Sequence, residues 1–163
     1  MAHTPIAIIG AGVAGLAAAR QLPPTSYVVF EKSRGPGGRL ASKRINGLRA
    51  DIGAQFFTVR DPRFEETIAF ASDTGAVRRW SPRMGAFRNG RLVYSPDKQQ
   101  RYVGFPYMNS LGNFLSQSVN VRREARISSV KRDGGMFVLT STAGEIYTAE
   151  QVLVTAPVDQ MRE

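Results

Sequence analysis

An α/β fold built on a buried parallel sheet is predicted by three observations in the first 31 residues. Ile6-Ala7-Ile8-Ile9 is an uninterrupted apolar run rich in β-branched residues, as a strand covered on both faces requires. Gly10-Ala11-Gly12-Val13-Ala14-Gly15 follows at once, and the alanine-rich stretch from Leu16 to Leu22 reads as a helix stopped by Pro23-Pro24. Tyr27-Val28-Val29-Phe30 is a second buried strand that ends at Glu31.

The next elements follow from turn chemistry. Ser33-Arg34-Gly35-Pro36-Gly37-Gly38-Arg39 is an irregular loop, because its glycines and proline oppose helix and strand. Asn46-Gly47, between Arg44-Ile45 and Leu48-Arg49, is a two-residue hairpin turn. Asp61-Pro62 supplies an N-cap followed by proline at the first helical position, and Phe64, Ile68 and Ala71 recur at helical spacing until Gly75. From Val77 to Met108 short strands carry Trp80, Phe87, Tyr94, Tyr102, Phe105 and Tyr107, with a second Asn-Gly turn at Asn89-Gly90. A further amphipathic helix starts near Ser110, placing Leu111, Phe114 and Leu115 on one face. The last third reads as a β-meander: Val119 to Arg122, Arg126 to Arg132, Met136 to Thr142 and Ile146 to Thr148. Gln151 to Thr155 is then a separate apolar strand, closed by Ala156-Pro157.

Composition narrows the chemistry. The chain has 163 residues, 42% of them hydrophobic, which suits a globular domain. It contains no Cys, so a disulfide framework, a thiolate metal site and a Cys nucleophile are excluded within it. Its one His, His3, is near the N-terminus, which excludes a His-based triad or metal cluster. No metal is expected. With 22 Lys plus Arg against 13 Asp plus Glu the formal charge is +9, yet the cations are dispersed and no nucleic-acid module is visible. No apolar run reaches the ~20 residues of a membrane span, and Met1 to Pro5 has no signal-peptide pattern. A cytoplasmic protein with no nucleic-acid or membrane partner is the expectation.

The glycine motif directs the reading toward a dinucleotide. In a strand-turn-helix unit, the first Gly of G-x-G-x-x-G makes the turn, the second lets the backbone approach a pyrophosphate, and the third lets helix pack on strand. Gly10, Gly12 and Gly15 occupy those places, and Glu31 follows at the end of the next strand, where an acid accepts hydrogen bonds from ribose hydroxyls. A carboxylate there would repel a 2′-phosphate, so FAD or NAD suits the motif. Gly37-Gly38-Arg39 lies a few residues on and supplies a planar fork of donors for phosphate oxygens.

Three stretches together resemble the flavin-containing amine oxidase superfamily. They are Ile6 to Gly15, Glu31-Lys32 through Gly38-Arg39, and Ala50-Asp51-Ile52-Gly53-Ala54-Gln55-Phe56-Phe57-Thr58. Within it the chain is most similar to the bacterial renalase-like oxidoreductases, an assignment carried mainly by the Asp-x-Gly-Ala-Gln-aromatic stretch. The resemblance implies a Rossmann-like FAD/NAD(P)-binding fold with a β-meander, plus part of a substrate domain. On that division, residues 1–76 and 109–163 form the FAD-binding domain, incomplete at its C-terminus, and 77–108 belong to the substrate domain. It implies that Gly10, Gly12, Val13, Ala14 and Gly15 hold the pyrophosphate of FAD, that Glu31 holds the adenosine ribose with Lys32 beside it, and that Gly38 and Arg39 face the pyrophosphate and ribityl region. Gln55 and Phe56 would lie against the flavin, and the backbone near Ala125 and Arg126 would meet the adenine. One departure is Tyr107, where close relatives are expected to have a Gly before the Met.

The implied activity is FAD-dependent oxidation: hydride passes from substrate to flavin and the electrons then pass to O₂. In the renalase branch the substrates are dihydronicotinamide dinucleotide isomers, restored to NAD(P)⁺. A flavin amine oxidase and a non-catalytic dinucleotide-binding module are the alternatives. The family's later strand and glycine-containing helix are not found after Pro157. The chain is therefore expected to be an N-terminal portion or truncated relative that alone is inactive and binds FAD weakly or not at all.

Overall fold

The computed structural model describes residues 1–94 and 99–161. Residues 95–98 of the 77–108 insertion and the last two of the 109–163 segment lie outside the described residues. The chain folds as two compact units, one made of residues 1–41 and 112–163, the other of 42–111.

In the first unit β1 (Ala2–Ile9) leads through the glycine turn into α1 (Val13–Ala19), and β2 (Tyr27–Phe30) returns parallel to β1. A short 3₁₀ turn, Gly38–Leu40, closes the second glycine cluster. After the excursion through the second unit, α3 (Asn109–Ser116) brings the chain back to β9 (Val121–Arg122), β10 (Ile127–Asp133), β11 (Met136–Ser141) and β12 (Ile146–Val154). Together the strands form one six-stranded sheet in the order β10-β11-β12-β1-β2-β9. Its core gathers Ala7, Phe30, Ala125, Leu139, Tyr147 and Ala149. Leu16 and Ala19 of α1 are fully buried, as expected of an alanine-rich helix that must lie close to a sheet. Arg20 ends that helix and donates to the Leu115 carbonyl and the Ser118 hydroxyl at 3.5 and 3.4 Å.

Four boundaries differ from the sequence reading, each for a physical reason. The first helix runs from Val13 to Ala19 rather than Leu16 to Leu22, because it begins inside the glycine motif with Gly12 as N-cap. It ends at Ala19 because the following N–H groups tighten to the carbonyls three residues back, Gln21 to Ala18 and Leu22 to Ala19, both at 3.1 Å. β1 starts at Ala2, since its partner is longer than expected: Ile146 to Thr148 and Gln151 to Thr155 are a single strand, β12. No breaker separates the two halves, and β12 pairs in parallel with β1 from Ala2↔Tyr147 to Ile9↔Val154 while its first half also pairs antiparallel with β11. β9 is only Val121–Arg122, because the Val119 N–H is spent on the Ser116 carbonyl at the end of α3.

The second unit opens with the hairpin β3 (Ser42–Ile45) and β4 (Leu48–Asp51), turned by Asn46 and Gly47, both at positive φ (49° and 81°). Next come α2 (Pro62–Asp73) and β5 (Val77–Trp80), and then β6 (Gly85–Arg88) and β7 (Arg91–Tyr94), which pair around Asn89-Gly90. β8 (Arg101–Gly104) pairs with β5. Asp51, at the end of the first hairpin, accepts the Ser42 hydroxyl at 2.6 Å and the Met108 N–H at 3.0 Å. It thus ties the hairpin to the chain entering α3.

Asp61 caps α2 as the sequence indicates. Its Oδ1 accepts the Arg63 backbone N–H at 2.9 Å, and the Arg63 guanidinium binds both carboxylate oxygens. The hydrogen bond from the Arg63 side chain, followed by that from its backbone, lowers the Asp61 carboxyl to about 2. A carboxyl depressed in the folded state stabilises above the unfolded value and loses that contribution as pH falls through the folded one. Asp61→Ala is therefore expected to lower Tm at neutral pH, with the gap to the parent protein closing as pH falls from about 4 toward the folded value. Parallel melting curves across that range check it.

Candidate functional site

The two glycine clusters form one structure. Gly10 adopts φ +106°, a turn that L side chains rarely allow, and its N–H is held by the Phe30 carbonyl at 2.8 Å. Gly37 donates its N–H to the Ala11 carbonyl at 2.8 Å and bridges Gly12 in parallel. A Cβ at Gly38 would lie 3.0 Å from the Gly12 Cα. The sequence reading missed Gly112 of α3, where a Cβ would lie 2.7 Å from the Gly37 Cα, so the helix is pressed onto the second cluster. It also missed Thr155, just past β12, whose hydroxyl lies 3.0 Å from both the Ile9 and Gly10 carbonyls and fastens the far strand to the loop.

The three motif glycines have separate reasons to be glycine. Gly10 makes the turn. Gly15 makes the packing, since a Cβ there would collide with the Gly10 carbonyl and lie 2.8 Å from Thr155 Oγ1. Gly12 has neither reason: its φ of −73° suits any residue, and a Cβ there would meet no heavy atom closer than Gly38 Cα at 4.0 Å. Among the described residues, none crowds a side chain at Gly12. It borders open space.

That space is a cavity of about 730 Å³ in the first unit. One wall is the glycine loop, with Gly10, Gly12, Val13 and Ala14; opposite are Gly37, Gly38 and Arg39. The end of β2 supplies Phe30, Glu31 and Lys32, and the turn before β10 supplies Ala125 and Arg126. Glu31 is buried (6% exposed), and its carboxylate accepts the Ala11 N–H and the Ser33 N–H, both at 2.9 Å. A carboxylate has about four acceptor positions, so two such bonds fix it while leaving capacity for a ligand's hydroxyls. Lys32 Nζ donates to Gln160 Oε1 at 2.9 Å, and both residues border the cavity. The Ala125 N–H donates to the Glu31 carbonyl at 2.9 Å, and the Arg126 carbonyl accepts the Thr142 N–H at 2.8 Å and keeps a second lone pair.

Gly15 lies behind the loop as a packing contact, apart from the cavity-lining residues. Gln55 and Phe56 belong to the second unit. There Gln55 is exposed, while Phe56 is half-buried, its ring 5.7 Å from Trp80 and 5.3 Å from the buried Arg101 guanidinium. Phe57 is a packing residue, stacked on Tyr102 and close to Phe64. Arg49 covers the ring of Tyr107, the position at which a Gly was expected. Among the described residues, no three His, Asp or Glu side chains group as metal ligands. No described helix is long and apolar enough to cross a membrane.

A backbone cradle with an acid fixed beside it can hold a diphosphate joined to a ribose. Comparison with known proteins agrees. Residues 8–71 match the family model for an NAD(P)-binding Rossmann-like domain. Over part of its length the chain is similar to proteins named as flavin-containing monoamine oxidases and carotenoid desaturases. A Mycobacterium tuberculosis protein named as a flavin-containing monoamine oxidase, AofH, is 36% identical over 90 residues, which is 54% of this chain and 18% of that one. A zeta-carotene-forming phytoene desaturase of Myxococcus xanthus is 42% identical over 64 residues, 38% of this chain and 12% of that one. Among solved structures, putrescine oxidase bound to putrescine overlays 95% of the chain with a TM-score of 0.68 at 13% identity. The overlay covers 58% of the putrescine oxidase, so the Rossmann-like domain and its neighbouring unit span less than two thirds of that relative.

Proposed function

We propose that this chain is the dinucleotide-binding part of an FAD-dependent oxidoreductase. The observation that carries the reading is Gly12, a glycine that borders a cavity and that protein packing does not demand. The residues fit FAD. Gly10, Gly12, Val13 and Ala14 would hold its pyrophosphate, with Gly38 and Arg39 closing on it, while Gly15 keeps the loop in place. Glu31 would take the adenosine ribose hydroxyls, with Lys32 at the cavity's edge. Gln55 and Phe56 are assigned to the flavin side. When bound, FAD supplies the hydride acceptor and the route of electrons to O₂, consistent with a chain that has no Cys and one His.

For the substrate, the reading favours an anionic dihydronicotinamide dinucleotide isomer oxidised to NAD(P)⁺, because a formal charge of +9 would steer such a molecule and would do nothing for a cationic amine. The likeness to a monoamine oxidase and to putrescine oxidase favours the second reading, an amine substrate. Turnover is expected to need more than these 163 residues. A peroxide-coupled assay of the chain beside a full-length relative, with dihydronicotinamide isomers and with amines, tests each part. Peroxide from the dihydronicotinamides, and only with the full-length protein, is expected. Turnover of amines alone would overturn the substrate, and normal turnover by the 163-residue chain would overturn its assignment as inactive.

A further inference from the structure

At the Glu31 wall of the cavity five residues, Phe30, Glu31, Arg122, Glu145 and Tyr147, close a ring of contacts. The Glu31 N–H donates to the Arg122 carbonyl at 2.9 Å. The Arg122 guanidinium donates to Glu145 Oε1 at 2.7 Å, and the Tyr147 hydroxyl donates to Glu145 Oε2 at 2.6 Å. The Tyr147 ring lies 4.7 Å from Phe30, the residue before Glu31, and 4.8 Å beneath the Arg122 guanidinium. Tyr147 is buried (3% exposed), whereas Arg122 and Glu145 are half exposed. An ion pair so exposed contributes little to stability.

The turn that follows Arg122 is strained. Glu124 has φ +56°, a left-handed conformation that non-glycine residues adopt at a cost, and it is held there by its N–H bond to the Ser33 carbonyl at 3.2 Å. The next residue, Ala125, lines the cavity and donates to the Glu31 carbonyl at 2.9 Å. Such a turn keeps its shape only if its neighbours over-determine it. The Ser33 and Glu31 carbonyls hold it directly, while Glu145 holds the guanidinium of Arg122, two residues before Glu124, from outside the cavity, and the Ser141 hydroxyl in turn accepts the Glu145 N–H at 3.1 Å. The hydrogen bond from Tyr147 holds the Glu145 carboxyl below the usual carboxylate range, and burial pushes the Tyr147 phenol up, so phenol donor and carboxylate acceptor persist together.

We infer that Arg122, Glu145 and Tyr147 are positioning residues that hold the backbone at the end of β2, from which the Glu31 carboxylate oriented by the Ala11 and Ser33 N–H groups is presented to a ribose, and so determine how well the site distinguishes ribose from deoxyribose. The inference rests on the dinucleotide reading of the cavity. None of the three touches the cavity's contents; they act through the Arg122 carbonyl and the Phe30 ring.

The test is the ratio of Kd values for 2′-deoxy-ADP and ADP, measured calorimetrically on the whole chain. The parent protein is expected to prefer ADP by about 10- to 100-fold, the range of a hydrogen bond to a charged group. Glu31→Gln should lose most of that preference, and so should Glu145→Gln and Tyr147→Phe if they place Glu31. Ser128→Ala, which removes a hydroxyl bond to the Thr140 carbonyl in the meander, should keep it. Should Tyr147→Phe fail to fold, Glu145→Gln carries the test at a half-exposed site. Retention of the preference in the Glu145 and Tyr147 variants, even with uniformly weaker binding, overturns the inference and leaves the dinucleotide reading standing. Loss of preference in Ser128→Ala would also overturn it. No ADP binding by the parent protein would overturn both.

Discussion

Gly15→Ala is expected to destabilise the first unit by about 3 kcal/mol, at the upper end of what overpacking costs, and to remove dinucleotide binding with it. The added methyl has nowhere to go. It would meet the Gly10 carbonyl, a backbone atom fixed by the turn at φ +106°, and the Thr155 hydroxyl, itself engaged with the Ile9 and Gly10 carbonyls. Relief would require α1 to move off β1, which would expose Leu16 and Ala19, both fully buried. Urea titration should show the loss as a lower midpoint.

Gly12→Ala is expected to do the opposite: the fold survives and the ligand is lost. Its backbone angles, φ −73° and ψ 176°, are open to alanine, and the new Cβ would have no neighbour closer than 4.0 Å. Exchanging Gly for Ala at an N-cap costs about 1 kcal/mol or less. The methyl would project where the proposed pyrophosphate must approach the backbone, and a displaced phosphate loses several directional hydrogen bonds at once. Binding should fall by about a hundredfold or more, on the scale of losing two bonds to a charged group. On the proposed reading, the same glycine motif separates into a residue kept for the protein and a residue kept for the ligand.

Much of the fold could be read locally. The strand, glycine turn, helix and strand of residues 1–31, both Asn-Gly hairpins and the Asp61-Pro62 helix start are short-range signals, and each is present in the structure. What could not be read depends on pairing across the chain. β12 looked like two strands because its apolar pattern is interrupted at Ala149-Glu150, but its length is set by β1, a partner some 145 residues away in the register Thr4↔Ala149. Gly112 resembles an ordinary helix glycine until Gly37 is placed against it. The motif marks Glu31 as the candidate ribose acid, but its bonds to the Ala11 and Ser33 N–H groups, which fix its orientation, depend on how strand and loop meet. Thr155, Arg122, Glu145 and Tyr147 match no motif, and their hydrogen bonds are contacts that only the folded chain creates.

The central claim is that the cavity beside Gly12 receives the ADP portion of FAD. Titrating FAD into the parent chain and into Gly12→Ala, with flavin fluorescence as readout and ADP as competitor, tests it most directly. The account predicts weak, saturable FAD binding by the parent chain that ADP displaces, and binding at least about a hundredfold weaker in Gly12→Ala, whose urea midpoint shifts by no more than a loss of about 1 kcal/mol of stability explains. Equal FAD binding by the two proteins, or binding that ADP does not displace, would contradict it.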